Sequence, residues 1–191
     1  MKKRIAVFIS GRGSNMEAIV RETRQGILKD VCEVVLVLSN KAGAKGLEIA
    51  RQWNVPTAVI PSKGKSREAF EREVIAFLEP YRPDYIVLAG FMRILSPVFI
   101  RAYKNRIINI HPADTKLFQG VGGYEWAFKN KLTSTKITVH FVDEGVDTGP
   151  IIAQYEVDLK GAGTLEEVER RGLKAEHEFY SKALKELFGK S

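Results

Sequence analysis

Short runs of β-branched and aliphatic residues alternate along the chain with longer stretches in which apolar side chains return every three or four positions. Five runs, Ile5 to Ile9, Val34 to Leu38, Thr57 to Ile60, Tyr85 to Ala89 and Ile107 to Ile110, are too short and too β-branched for buried helices and predict strands. Between them, Asn15 to Gln25, Ala44 to Trp53, Ser66 to Tyr81 and Pro97 to Tyr103 carry the helical period. Strands that are apolar on both faces, joined by helices, predict a parallel sheet buried between helical layers by right-handed crossovers. The pattern changes after Ile110. A turn-rich stretch, Pro112 to Gly123, precedes a short helix around Tyr124 to Asn130, two further strands at Lys136 to Val142 and Ile151 to Asp158, and a long helix from about Thr164 to Phe188.

A length of 191 residues fits one domain, and no linker, repeat or low-complexity segment divides it. The opening Met1-Lys2-Lys3-Arg4 is followed by an apolar run that stops at Ser10-Gly11-Arg12-Gly13, too early for a signal peptide or a membrane span. The single cysteine, Cys32, lies in an apolar run and predicts a buried thiol in a reducing cytoplasm. The formal charge of +7 raises nucleic acid as a partner, but lysine and arginine are scattered among acids, without the dense basic block of a nucleic-acid footprint. Small anions fit better, and neither nucleic acid nor a membrane is expected.

In an open α/β sheet, ligands bind at the carboxyl ends of strands, so unusual residues should gather in the loops there. Ser10-Gly11-Arg12-Gly13-Ser14-Asn15 follows the first strand and opens a helix, where free N–H groups and the helix dipole favour a phosphate. Met16 replaces the third glycine of a dinucleotide fingerprint and Ser39-Asn40 its acidic residue, which disfavours a nicotinamide cofactor. Leu88 to Pro97 carries one cation, Arg93, in an apolar stretch able to wall a flat ligand, although an outward arginine on core sequence reads the same way. Asn109 and His111 share one strand face, since side chains alternate, and pair an oxyanion donor with a proton carrier. Asp143, Glu144 and Asp147 are all candidates to pair with His111; Asp147 is favoured because Gly149-Pro150 fixes it just before the last strand. His140 reads as a packing or supporting histidine and His177 as a solvated one. The histidines and Cys32 lack metal-ligand spacing, so no metal is expected.

Through Gly13-Ser14-Asn15, Ser39-Asn40-Lys41-Ala42, Leu88 to Pro97, Asn109-Ile110-His111-Pro112, His140-Phe141-Val142 and Asp147-Thr148-Gly149-Pro150, the chain resembles the phosphoribosylglycinamide formyltransferases, a folate-dependent family. The resemblance covers nearly the whole chain. It implies a single-domain, Rossmann-like formyltransferase fold over residues 1–191: a mostly parallel, twisted sheet of about seven strands with an antiparallel C-terminal part and helices on both faces. The N-terminal half would bind the substrate phosphate, and the C-terminal half would carry the catalytic and folate loops. It implies transfer of the formyl group of 10-formyltetrahydrofolate, a cosubstrate, to the amine of glycinamide ribonucleotide in purine biosynthesis, in a cytoplasmic enzyme for which a homodimer stays open. The catalytic residues would be Asn109, His111 and Asp147, with Asp147 raising the pKa of His111 so that it acts as imidazolium. Gly13, Ser14, Asn15 and Glu176 would bind the substrate, Glu176 at the ribose hydroxyls. Arg67, Met92, Arg93, Ile94 and Leu95, with Asn109 and Asp143, Glu144, Gly145, Val146 and Asp147, would form the folate pocket.

Two departures from the family pattern stand out. Ala113-Asp114-Thr115-Lys116-Leu117-Phe118 replaces the usual Ser-Leu-Leu-Pro continuation, which brings in Asp114 as a rival partner for His111. Leu173 stands where some members carry a phosphate-binding lysine, leaving Lys174 or Arg171 to substitute. The alternatives are another 10-formyltetrahydrofolate-dependent formyltransferase, such as one acting on methionyl-tRNA, a folate deformylase, or a phosphate-ligand binding module without catalysis.

Overall fold

In a computed structural model that describes residues 1–190, the strands are β1 (Lys3–Ile9), β2 (Cys32–Ser39), β3 (Thr57–Val59), β4 (Tyr85–Leu88), β5 (Ile107–His111), β6 (Ser134–Phe141) and β7 (Ile151–Asp158). The helices are α1 (Ser14–Gln25), α2 (Lys45–Gln52), α3 (Arg67–Leu78), α4 (Pro97–Ala102), α5 (Gly123–Lys129) and α6 (Leu165–Gly189). One sheet of order β3-β2-β1-β4-β5-β6-β7 contains all seven strands. β1 to β5 pair in parallel, as the sequence pattern predicted, and β6 and β7 run antiparallel to their neighbours, as the resemblance implied.

Alternation along the strands sorts the core into two layers. Ile5, Val7 and Ile9 of β1 join Met16, Ile19 and Val20 of α1 and Tyr180, Leu184 and Phe188 of α6 on one face. Ala6 and Phe8 turn to the other face, against Phe70, Val74 and Leu78 of α3 and Phe99 of α4. Full burial of an aliphatic or aromatic side chain contributes about 1.5–3 kcal/mol, and both layers collect many. Strand order fans outward from β1, through β2 and β3 on one side and β4 onward on the other. The switch point therefore lies between β1 and β4, where a crevice opens at the carboxyl ends.

Both ends of α3 differ from the sequence reading for local reasons. Ser66 is the N-cap of α3, accepting from the Ala69 amide at 3.1 Å, and Pro80 ends the helix so that Glu79–Tyr81 forms a 3-10 turn. Cys32 is buried as expected, and burial pushes its thiol up to about 12. No helix among the described residues is long and apolar enough to cross a membrane.

Candidate active site

Gly13 caps α1 with a left-handed backbone, φ 75°, and a Cβ there would lie 2.7 Å from the Gly46 Cα of α2. Only glycine meets both demands. No side chain caps the first turn of α1, so its amide groups open toward the crevice. Ser10 ties the strand ends together: its hydroxyl donates to Asn40 Oδ1 at 2.6 Å and accepts from the Met92 amide at 2.8 Å, while Asn40 Nδ2 donates to Ser62 Oγ at 3.1 Å. Asn40 thus braces the crevice from the place where a dinucleotide-binding sheet would carry an acid.

The crevice is a cavity of about 890 Å³ reaching from Arg12, Gly13, Ser14, Asn15 and Lys41 past Met92, Arg93 and Ile94 to Asn109, His111 and Asp147, with Leu173 and Glu176 of α6 along its wall. A smaller adjoining cavity of about 100 Å³ is lined by Arg93, Ile94, Leu95, Asn109, His140, Asp143 and Gly145 to Gly149. Phe91, Arg93, Ile94, Asn109, Val146 and Asp147 belong to both linings. Arg93 does not simply point to solvent; its guanidinium lies over the Phe70 ring, 5.4 Å from the centroid.

Register creates the polar cluster at the junction. Ile108 and Ile110 bury against the α1 and α6 layer, so Asn109 and His111 face the other way; across β6, Asn109 pairs with His140 and His111 with Thr138. Asp147, from the β6–β7 loop, enters between the histidines. His111 Nδ1 lies 3.3 Å from Asp147 Oδ2 and His140 Nε2 lies 3.6 Å from Oδ1, while the Gly120 amide donates to Oδ2 at 2.8 Å. Of the other two acids in that loop, Asp143 accepts from the Gly145 amide and the Thr148 hydroxyl, and Glu144 pairs with Arg101 of α4 at 3.5 Å. Asp147 alone of the three meets His111.

Burial raises the Asp147 carboxyl, but the nearby His140 imidazole, the bond from the Gly120 amide and the His111 charge outweigh it, leaving Asp147 below its ordinary value. The expectation that Asp147 raises His111 above its ordinary value is corrected. Burial lowers the imidazole by more than Asp147 and the Phe118 carbonyl raise it, and His140 pushes it down further. His111 Nε2 lies 2.8 Å from the Phe118 oxygen, and the Phe118 ring stacks on Trp126 with centroids 5.2 Å apart.

The divergent stretch after Pro112 is held by its own residues. Asp114 accepts from Gln154 Nε2 at 3.1 Å and pairs with Lys136 at 3.5 Å, so it anchors this loop to β6 and β7 and does not compete for His111. Neither expected basic substitute reaches the cavity. Arg171 binds Glu167 and the carbonyls of Asp158 and Lys160, and Lys174 is exposed outside the lining; Arg12 and Lys41 supply the positive charge instead. Arg67 and Glu144 also lie outside both linings, whereas Gly13, Ser14, Asn15, Met92, Ile94, Leu95, Asp143, Gly145 and Val146 line one or both. Glu176 is buried and accepts from Asn15 Nδ2 and from Tyr124, a residue that carried no sequence signal.

The sequence profile described as formyl transferase matches residues 3–184. The chain belongs to the formyl transferase family. Among its relatives, a phosphoribosylglycinamide formyltransferase of Bacillus subtilis is 39% identical over 98% of this chain and 95% of the relative. The trifunctional purine biosynthetic protein adenosine-3 of Drosophila pseudoobscura pseudoobscura is 43% identical over 96% of this chain, which spans only 14% of that protein's length. Among solved structures, the glycinamide ribonucleotide transformylase 1 of Symbiobacterium toebii superposes with a TM-score of 0.93 at 36% identity, covering 99% of this formyl transferase chain and 89% of the other. The phosphoribosylglycinamide formyltransferase of Bacillus halodurans gives 0.90 at 41% identity, with 97% and 95% covered.

Proposed function

We propose that this formyl transferase moves the formyl group of 10-formyltetrahydrofolate to the amine of glycinamide ribonucleotide, in a reducing cytoplasm. The observation that carries the reading is the meeting of Asn109, His111 and Asp147, with Asp147 3.3 Å from His111, where the two cavities share a wall. The relatives named for this reaction support it. The phosphate sits at the open end of α1 on Gly13, Ser14 and Asn15, with Arg12 and Lys41 neutralising its charge. Glu176 accepts from the ribose hydroxyls. The folate lies along Met92 to Leu95 and Asp143 to Asp147, and its formyl group reaches the junction.

The amine attacks the formyl carbon and must lose a proton as the tetrahedral oxyanion forms. The Asn109 amide donates to the oxyanion. His111, lowered by burial, is neutral at pH 7 with Nδ1–H turned to Asp147; Nε2, which faces the Phe118 carbonyl at 2.8 Å before substrate enters, takes the amine proton in place of that contact, and the imidazolium so formed stands against Asp147, which stabilises it until the proton passes to the departing folate nitrogen. The carboxylate is ready for that role because its own pKa lies below the ordinary range.

The test is tetrahydrofolate release measured with and without glycinamide ribonucleotide. Release that needs the amine and yields the formylated nucleotide supports transfer. Release without amine means a deformylase, and binding of the phosphate substrate with no release means a binding module.

A further inference from the structure

Glu176 stands on α6 with 6% of its surface exposed, beside the large cavity. Both carboxylate oxygens are anchored: Asn15 Nδ2 donates to Oε1 at 3.1 Å and the Tyr124 hydroxyl donates to Oε2 at 2.5 Å. Tyr124 comes from α5, the helix that follows the loop over His111. Its ring reaches Glu176 across Gly172, one helical turn earlier on the same face of α6. A Cβ on Gly172 would fall 2.1 Å from Tyr124 Cζ, so the ring occupies the space a side chain there would fill. Glycine inside a helix is about 1 kcal/mol less favourable than alanine, which makes its presence at the phenol's crossing point informative.

Burial pushes the Glu176 carboxyl up, and the bonds from Tyr124 and Asn15 pull against that rise. Tyr124 is itself pushed far above its ordinary value by burial and by Glu176, so it remains a protonated donor. A carboxylate accepts about four hydrogen bonds, and the two fixed here leave one lone-pair direction on each oxygen. Two anchored oxygens with matched free acceptors suit two hydroxyl groups on adjacent carbons, whereas an unanchored carboxylate would rotate.

We propose that Tyr124 is a positioning residue that, by holding Glu176 Oε2, makes the enzyme selective for an amine substrate bearing a vicinal diol. This rests on the reading of Glu176 as the acceptor of the substrate's ribose hydroxyls. Asn15 supplies the second anchor, but its place in the first turn of α1 also commits it to the phosphate end. Tyr124 has no other polar role among the hydrogen bonds described, so its hydroxyl is the separable part of the device.

Tyr124→Phe keeps the ring over Gly172 and removes only the donor. Steady-state kinetics of wild type and variant with glycinamide ribonucleotide and with its 2′,3′-dideoxy analogue, together with thermal midpoints, test the assignment. The expected result is a KM for glycinamide ribonucleotide raised about tenfold, with kcat and the folate KM unchanged to about a factor of two. The dideoxy analogue should show a raised KM already in the wild type and no further rise in the variant. An equal rise for both substrates, an unchanged KM, or a loss confined to kcat overturns the role of Tyr124, including when a lowered midpoint accompanies it. Wild-type transfer with an unmoved variant sinks the Tyr124 assignment alone; a wild type that formylates neither substrate sinks the functional reading and this assignment with it.

Discussion

Asp147 adopts a left-handed backbone conformation, φ 53°, that most side chains avoid and that asparagine and aspartate tolerate best. An outlier at the point where two histidines converge is backbone strain of about 1–2 kcal/mol, accepted to aim one carboxylate. Asp147→Asn preserves both the size and the tolerance of that conformation and removes only the charge, so it isolates the electrostatic role. Turnover should fall at least about tenfold while the phosphate substrate stays bound; wild-type rates at pH 8 would refute the role given to Asp147. The pH profile adds a second reading. In the proposed mechanism His111 must be neutral to accept the amine proton, and its folded pKa lies below 6.5. Wild-type activity should therefore stand near its plateau at neutral pH and decline on acidification through that lower value. In Asp147→Asn the charge that raises His111 is gone, so the acid limb of kcat against pH should move further down. Folding stability follows the same direction, because both groups are depressed in the folded state. Their contributions are complete at neutral pH and are lost on acidification, that of His111 below pH 6.5 and that of Asp147 below 3.8.

Between α3 and α4, a charged residue does the work of a cap. Glu71 is 1% exposed and accepts from the Ser96 amide at 2.9 Å, the Ser96 hydroxyl and the Phe99 amide at 3.2 Å, which fixes the start of α4 and with it Leu95 on the cavity wall. Glu71→Ala leaves those donors buried and unmet, and should lower unfolding free energy in urea by about 2–4 kcal/mol without moving the pH profile. Nothing in the pattern around Arg67 to Leu78 distinguishes Glu71 from its exposed neighbours, since its partners lie 25 to 28 residues away. The same holds for Asp114, whose anchors Gln154 and Lys136 are set by strand pairing that sequence spacing does not encode. Tyr124 is silent for the same reason. By contrast, the strands and the sharing of one face by Asn109 and His111 were legible, because period-two alternation is local and Ile108 and Ile110 must bury. His140 was legible as a packing or supporting histidine, but its place opposite Asn109 follows only from the antiparallel pairing of β5 and β6. The direction of the His111 shift was not legible either, since burial is a property of the packed site and it outweighs the one carboxylate that the motif reveals.

At the scale of the whole molecule, the switch point between β1 and β4 opens one crevice, whose opposite ends take the two ligands in the proposed function. Arg12 and Lys41 stand at the end opened by α1, whereas Arg93 lies at the junction and in the smaller cavity, stacked on Phe70 of the other core layer. Those cations are therefore expected to separate kinetically. Arg12→Ala and Lys41→Ala should each raise the KM for the phosphate-bearing amine about tenfold and leave the folate KM within about a factor of two, because each removes a charge-assisted contact to one ligand only. Arg93→Ala should do the reverse, weakening the folate. Added salt should raise the amine KM of the wild type more steeply than that of either phosphate-end variant, since an exposed ion pair is screened and a missing one has nothing left to screen. Isothermal titration with inorganic phosphate provides a control without chemistry: its affinity should fall in Arg12→Ala and Lys41→Ala and hold in Arg93→Ala. If Arg93→Ala weakened phosphate as much as Arg12→Ala did, the two ends of the crevice would not be separate sites, and the division of substrates along it would have to be redrawn.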